Sequence, residues 1–253
     1  MNASGNTILI TGGSEGIGLA LAESLLDSNN VVIACSRNMD KLEAAKARLP
    51  DLEIMQCDIS RYDERRDLFN FILKNYKNIN ILINNAGIQR MIDFNEGIDD
   101  YLDGEDEIEI NFKALVELSA LFIPVFRERK ESAIINVSSG LAFVPGSFAP
   151  IYCATKAAVH SFTKTLRHQL KDTGIKVFEL IPPMVDTNLG GTGRDDRDVK
   201  YRGIPAKQVA AGFMESFESN EYEIAVGDAK NLVKAATSDP KTAKEAFDRM
   251  NGN

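Results

Sequence analysis

Apolar and polar positions fall in alternating blocks along this chain. Seven short runs rich in β-branched residues, at 7–10, 31–35, 53–56, 79–83, 133–137, 176–181 and 222–226, read as strands. Between them lie stretches with helical spacing of apolar residues, at 16–28, 39–48, 62–76, 106–129 and 150–171. A further helix is expected at 206–218, and the tail from Asp239 has the form of a proline followed by a helix. Strands alternating with helices predict βαβ units and a parallel sheet. The runs are too uniformly apolar for a sheet with one wet face, so helices should cover both faces. Right-handed crossovers then give an α/β fold, a three-layer, doubly wound parallel sheet of about seven strands.

One stretch breaks the pattern. Residues 188–203 gather Gly190, Gly191 and Gly193 among Arg194, Asp195, Asp196, Arg197 and Asp198, the composition of a mobile loop. With the helix that follows, it predicts a small lid at about 188–218, after the sixth strand, on a single domain spanning 1–253. The net charge of -8 argues against an electrostatic grip on nucleic acid. No run approaches the roughly 18 apolar residues needed for membrane insertion, and the first ten residues do not read as a signal peptide. The three cysteines (Cys35, Cys57, Cys153) lack CxxC spacing, and His160 and His168 are the only histidines. Neither a disulfide framework nor a metal site is expected, and a reducing cytoplasm is the expected location.

The first strand runs into Thr11-Gly12-Gly13-Ser14-Glu15-Gly16-Ile17-Gly18, and a helix follows at once. Glycines there allow a tight turn and close approach of a pyrophosphate, which the helix N-terminus favours. The plain alternative is a glycine-rich turn without a ligand. At the end of the second strand a carboxylate would select the ribose hydroxyls of NAD, but Ser36-Arg37-Asn38 stands there instead. Arg37 with Ser36 suits a 2′-phosphate, so NADP(H) is favoured and NAD(H) is the alternative. Glu15 opposes that choice unless it pairs with Arg37 or points outward. Asp58, with Ile59 beside it, is placed either to meet the adenine or to cap the next helix. Asn84-Asn85-Ala86-Gly87 ends the fourth strand with small and amide residues that let the backbone pass beside a ribose.

Chemistry is concentrated further along. Tyr152 and Lys156 are four residues apart and share one helix face, so a cation stands by a phenol and favours its ionised form. Together Thr11–Gly18, Asn84–Gly87, Asn111, Ser138-Ser139 and Tyr152-Cys153-Ala154-Thr155-Lys156 resemble the short-chain dehydrogenase/reductase family, single-domain branch, over about 7–187. The resemblance implies a Rossmann fold, a nicotinamide cofactor, and hydride transfer to or from a carbonyl carbon, the substrate being a small carbonyl compound or the alcohol it forms. It implies Tyr152 as general acid and base and Ser139 as the hydrogen-bond donor to the carbonyl oxygen. Lys156 would reach the nicotinamide ribose, and Asn111 would hold a water for proton resupply. Ser138 would be structural. Pro182, Val185 and Thr187 would meet the carboxamide and phosphate, although Pro183 stands where the family usually has glycine. Pro182-Pro183 with Val185-Asp186-Thr187 and the late 223–227 segment resemble a bacterial subgroup of oxidoreductases associated with D-alanine transfer onto teichoic acids.

Other features have plainer readings. His160 and His168 are expected to be structural or interfacial, and Cys153 to be packed. The acidic run 96–109 reads as a solvated helix entry, with Asp99, Asp100, Asp103, Glu105, Asp106 and Glu107. Phe94, Phe143, Phe148 and Leu189 are candidates to line an apolar pocket. In the helix at 106–129, Ile108, Phe112, Leu115 and Phe122 are expected on one buried face. By resemblance this helix and that at 150–171 build a homodimer or homotetramer. The competing reading is a dinucleotide-binding sensor without turnover, against which the set Asn111, Ser139, Tyr152 and Lys156 argues. Methyl transfer from S-adenosylmethionine would share the first turn but leaves Tyr152 and Lys156 unexplained.

Overall fold

The computed structural model describes residues 1–189 and 203–252. Its elements are β1 (Thr7–Thr11), α1 (Gly16–Asp27), β2 (Val31–Ser36), α2 (Met39–Arg48), β3 (Glu53–Gln56), α3 (Tyr62–Asn75), β4 (Ile79–Asn84), α4 (Ile98–Leu102), α5 (Ala114–Arg127), β5 (Ser132–Val137), α6 (Pro150–Gln169), β6 (Ile175–Ile181), β7 (Val185–Asp186), β8 (Ile204–Pro205), α7 (Ala206–Glu218), β9 (Glu223–Ala225), α8 (Ala229–Ala236) and α9 (Pro240–Met250). Seven strands form one sheet in the order β3-β2-β1-β4-β5-β6-β9, every neighbouring pair parallel. This is the doubly wound fold the pattern predicts. The strand order reverses between β1 and β4, so the crevice for a ligand opens at their C-terminal ends.

Alternation along the strands builds the two faces. Ile8 and Ile10 of β1 pack with Leu21 and Leu25 of α1, Leu42 of α2, and Val209 and Phe213 of α7. Leu9 points the other way, into a cluster with Leu68 of α3, Phe122 of α5 and Leu166 of α6. The segment expected as a lid divides. Residues 190–202 lie outside the described residues. The helix at 206–218 is part of the scaffold, because Val209, Ala210, Phe213 and Phe217 form one apolar face that is fully buried.

The helix expected from Asp106 carries a π-helical turn at Glu109–Lys113 before α5. One surplus residue in a turn shifts the phase of everything on its N-terminal side. The expected stripe is therefore broken: Ile108 is exposed, while Ile110, Asn111, Leu115, Leu118, Phe122 and Phe126 are buried. The turn also aims Glu109 at α3. There Arg65, with no side-chain exposure, holds Glu109 at 2.9 Å and Glu117 at 2.5 Å and donates to the Ile59 carbonyl. Arg65→Met leaves Glu109 still paired with Lys113 at 2.8 Å and both carboxylates partly in water, so it should cost roughly 1–3 kcal/mol in a urea melt, chiefly for the hydrogen bonds lost. A loss below about 1 kcal/mol would show that water reaches the two carboxylates freely.

Candidate active site

The C-terminal ends of β1 and β4 are tied by side chains. Thr11 Oγ1 accepts the N–H groups of Asn85 and Ala86, both at 3.1 Å, and Asn85 Nδ2 donates to the carbonyls of Thr11 (2.9 Å) and Gly12 (3.1 Å). Two glycines make the approach possible. Gly12 has φ +66° and a Cβ there would stand 2.8 Å from Ala86 Cα, while a Cβ on Gly18 would stand 2.3 Å from the Gly12 carbonyl. The result is a bare backbone cradle at the start of α1. The N-cap residue, Glu15, makes no side-chain cap bond, so it leaves the first N–H groups of α1 to the crevice. The Thr187 methyl group closes the cradle, 3.1 Å from where a Gly16 Cβ would be. Such a cradle fits a pyrophosphate, which needs close backbone approach and donors.

Beyond the cradle, Ser14 Oγ donates to Ser36 Oγ at 3.1 Å. Glu15 turns away from Arg37 and accepts from Lys41 Nζ at 2.6 Å and Asn188 Nδ2 at 3.2 Å. Arg37 pairs instead with Glu105, its Nη2 donating to Oε2 at 3.0 Å. Both pairs are exposed at 42–53% of their side chains. Lys41, not singled out in the sequence, is thus a second cation at this end. It is brought here because Asn38 caps α2 by accepting the Lys41 N–H at 2.9 Å. Asp58 does not cap α3. Its carboxylate accepts the Ser60 N–H at 2.9 Å within its own turn, and its N–H donates to Glu64 at 2.7 Å.

The other expected residues converge where β5 ends. Tyr152 and Lys156 are buried on the inner face of α6, with Lys156 Nζ 5.6 Å from the centre of the Tyr152 ring. The ammonium donates to the Val137 carbonyl at 2.9 Å. A Cβ on Gly87 would lie 3.5 Å from that ammonium and 3.1 Å from Asn111 Oδ1, so this glycine lets the chain after β4 pass between them. Asn111 sits in the π-helical turn, and three of the four hydrogen-bonding positions of its amide are used among the described residues. It accepts the Ile88 N–H at 2.8 Å and donates to the Ile88 carbonyl at 2.9 Å and to Thr155 Oγ1 at 3.1 Å. A water held by Asn111, as the resemblance implies, would have to use its backbone or the second lone pair of Oδ1. Ser139 Oγ accepts the Leu141 N–H at 3.1 Å, and among the described residues its own hydrogen has no acceptor. Pro182 braces this turn by accepting the Gly140 N–H at 3.0 Å, and Val185, buried in β7, pairs with Ile204 of β8.

Two acidic residues depart from the expected solvated run. Glu105 reaches Arg37, as described. Glu107 is 2% exposed; its Oε1 accepts the Arg90 N–H at 3.1 Å and its Oε2 has no partner among the described residues. Burial raises its carboxyl above the ordinary value. With Asn111 it grips alternate residues, Ile88 and Arg90, of the segment that leaves β4. Charge patterning gave no signal for this, because one glutamate in an acidic run looks like the rest.

Membership of a family follows. A family model described as short chain dehydrogenase matches residues 6–198, and the chain belongs to that family. The uncharacterized oxidoreductase DltE of Bacillus subtilis is 46% identical over 251 residues, 99% of this chain and 98% of that protein. A farnesol dehydrogenase of Aedes aegypti is 30% identical over 73% of this chain and 79% of its own length. Among solved structures, a short-chain dehydrogenase of Sphingobium yanoikuyae in complex with NADPH superposes with a TM-score of 0.76 at 28% identity, covering 91% of this chain and 93% of its own. No helix among the described residues is long and apolar enough to cross a membrane.

Burial lowers the Lys156 ammonium from its ordinary 10.5 to about 8. Below pH 8 the folded chain therefore carries a buried charge at a cost on the order of 3 kcal/mol. Between about 8 and 10.5 the unfolded chain binds the extra proton, so stability rises with pH across that window. Lys156→Met should be the more stable protein at pH 7, by about 2 kcal/mol once the lost bond to Val137 is counted. Its advantage should shrink towards pH 10 in melts taken across that range. A gap independent of pH would place the unfolded and folded values together.

Proposed function

We propose that this protein is an NADP(H)-dependent oxidoreductase that interconverts a small carbonyl compound of apolar body with its alcohol. The observation that carries the reading is the buried pair Tyr152 and Lys156 at the C-terminal edge of the sheet, beside a cradle that fits a pyrophosphate. The cradle at Gly12, Ser14, Gly16, Ile17 and Gly18, closed by Thr187, holds the pyrophosphate. Asn85, Ala86 and Gly87 flank the nicotinamide ribose, and Pro182 and Val185 the carboxamide. When bound, the dinucleotide supplies or accepts the hydride at the carbonyl carbon. The chain handles the proton and the charge. Ser139 donates its free hydrogen to the carbonyl oxygen. Tyr152 gives its phenolic proton to the same oxygen as negative charge develops there, and takes it back in the oxidation direction. The Lys156 ammonium stabilises the phenolate that remains. Its site near pH 8 lets it hold or pass a proton under ordinary conditions.

Two features support the finer choices. Arg37 and Lys41 are cations at the adenosine end, and Glu15 is already neutralised by Lys41. The exposed pairs they form are worth little and yield readily to a 2′-phosphate. The relative that binds NADPH supports the same cofactor. For the substrate, Met91, Phe94, Phe148 and Met184 are exposed on the loops that leave β4, β5 and β6. They favour an apolar body, as does the likeness to a farnesol dehydrogenase.

Tyr152→Phe should abolish NADPH oxidation at 340 nm with a panel of aldehydes and ketones that includes farnesal, while leaving the fluorescence titration with NADPH within about threefold. Full turnover by that variant would overturn the proton assignment. Arg37→Ala should weaken NADPH by about tenfold or more, the value of a charge-assisted contact, and NADH much less. Equal losses for the two would remove Arg37 from phosphate recognition.

A further inference from the structure

A buried carboxylate lies under this site, and no step above uses it. Glu179 of β6 has no side-chain exposure. A carboxylate so placed is tolerated only when its oxygens are satisfied. Ser138 Oγ donates to Oε1 at 2.5 Å, within the range of a charge-assisted hydroxyl bond. His160 Nδ1 stands 2.8 Å from Oε2 and donates to it. Serine, glutamate and histidine together suggest a nucleophile, but the order is wrong. The serine bonds the carboxylate and not the imidazole, and Ser138 is 1% exposed.

The arrangement has another use. Ser138 precedes Ser139, and Ser139 caps the short 3₁₀ turn Gly140–Ala142 through the Leu141 N–H. Phe143 ends that turn, and its ring meets the His160 ring edge to face with centres 4.5 Å apart. The same glutamate–histidine pair therefore grips the turn at both ends, Ser138 by a hydrogen bond and Phe143 by a ring contact. Its two members come from β6 and α6, the helix that also carries Tyr152 and Lys156. The sheet register sets the level of the clamp, since Glu179 lies opposite Asn136 of β5, two residues before Ser138.

We infer that Glu179 and His160 are positioning residues, a clamp that fixes the Ser139 hydroxyl relative to Tyr152. The inference rests on the proposed role of Ser139 in the reaction, but the clamp itself is testable without substrate. Hydrogen exchange followed by mass spectrometry on the whole protein reads the 139–145 amides. Glu179→Gln offers a donor where both neighbours donate, and His160→Phe keeps the ring but loses the bond. Both should speed exchange there at least about tenfold, leaving β1 and β4 unchanged. His160→Asn places an amide N–H where Nδ1 stood and should restore protection at the Ser139 end of the turn but not at Phe143, whose ring contact is lost. Ser138→Ala gives a milder version if Glu179→Gln folds poorly.

With the best carbonyl substrate of the panel, kcat should fall by about 10- to 100-fold, the scale of a displaced hydrogen-bond donor. KM and the NADPH titration should stay within about threefold, and His160→Asn should recover kcat. Unchanged exchange at 139–145 overturns the clamp. A rise throughout the chain, or a parallel loss of NADPH binding, makes the pair a general support and overturns positioning. Local loosening with kcat intact does the same. If the wild-type protein turns over nothing in the panel, the functional reading fails while the exchange result still decides the clamp.

Discussion

Burying one ammonium group is the constraint around which this molecule is arranged. Lys156 sits out of water and, among the described residues, makes one hydrogen bond, to the carbonyl that ends β5. Everything around it keeps that position available. Gly87 leaves room for it, the amide of Asn111 pins the chain beside it, and Thr155 links that amide to α6. The sheet, the π-helical turn and α6 meet there. A group that is costly to bury is kept beside Tyr152, where the proposed reaction would develop charge on a neighbouring oxygen.

The protein distributes its ionic contacts in two ways. Arg65 is wholly enclosed, and its partners Glu109 and Glu117 hold α3 against the helix that carries Asn111. Glu179 is likewise enclosed beneath the Ser139 turn. These contacts are costly to break and fix geometry. Where β2 leads into α2 the pairs Arg37–Glu105 and Lys41–Glu15 are open to water and easily exchanged. Rigid electrostatics thus stands under the polar centre and exchangeable electrostatics at the end of β2, where the proposed reading seats the adenosine.

The seven strands of the main sheet were legible because most are short β-branched runs, and their ends fall within a residue or so of the pattern; the two-residue strands β7 and β8 are too short to leave one. The glycine-rich turn and the spacing of Tyr152 and Lys156 were legible for the same reason: their meaning is local. What the sequence hid depends on partners far along the chain. Arg65 reads as a surface residue of an amphipathic helix until it meets Glu109 and Glu117, 44 and 52 positions on. His160 and Glu179 are unremarkable apart and informative only across the gap from α6 to β6. Glu105 and Glu107 sit in one acidic run, yet one faces Arg37 and the other is buried. A helix that changes phase part-way gives no periodic signal of where it does so.

That change of phase has a consequence for the helix as a whole. From Glu107 to Arg127 it serves two neighbours that no single α-helical face could satisfy. Its first half presents Glu107 and Asn111 to the chain leaving β4, and its second half presents Leu118, Phe122 and Phe126 to the sheet. The surplus residue in the π-helical turn is the clutch between them. With one residue deleted from 109–113 the helix would run true, and it would have to choose between its grip on the polar centre and its seat on the core.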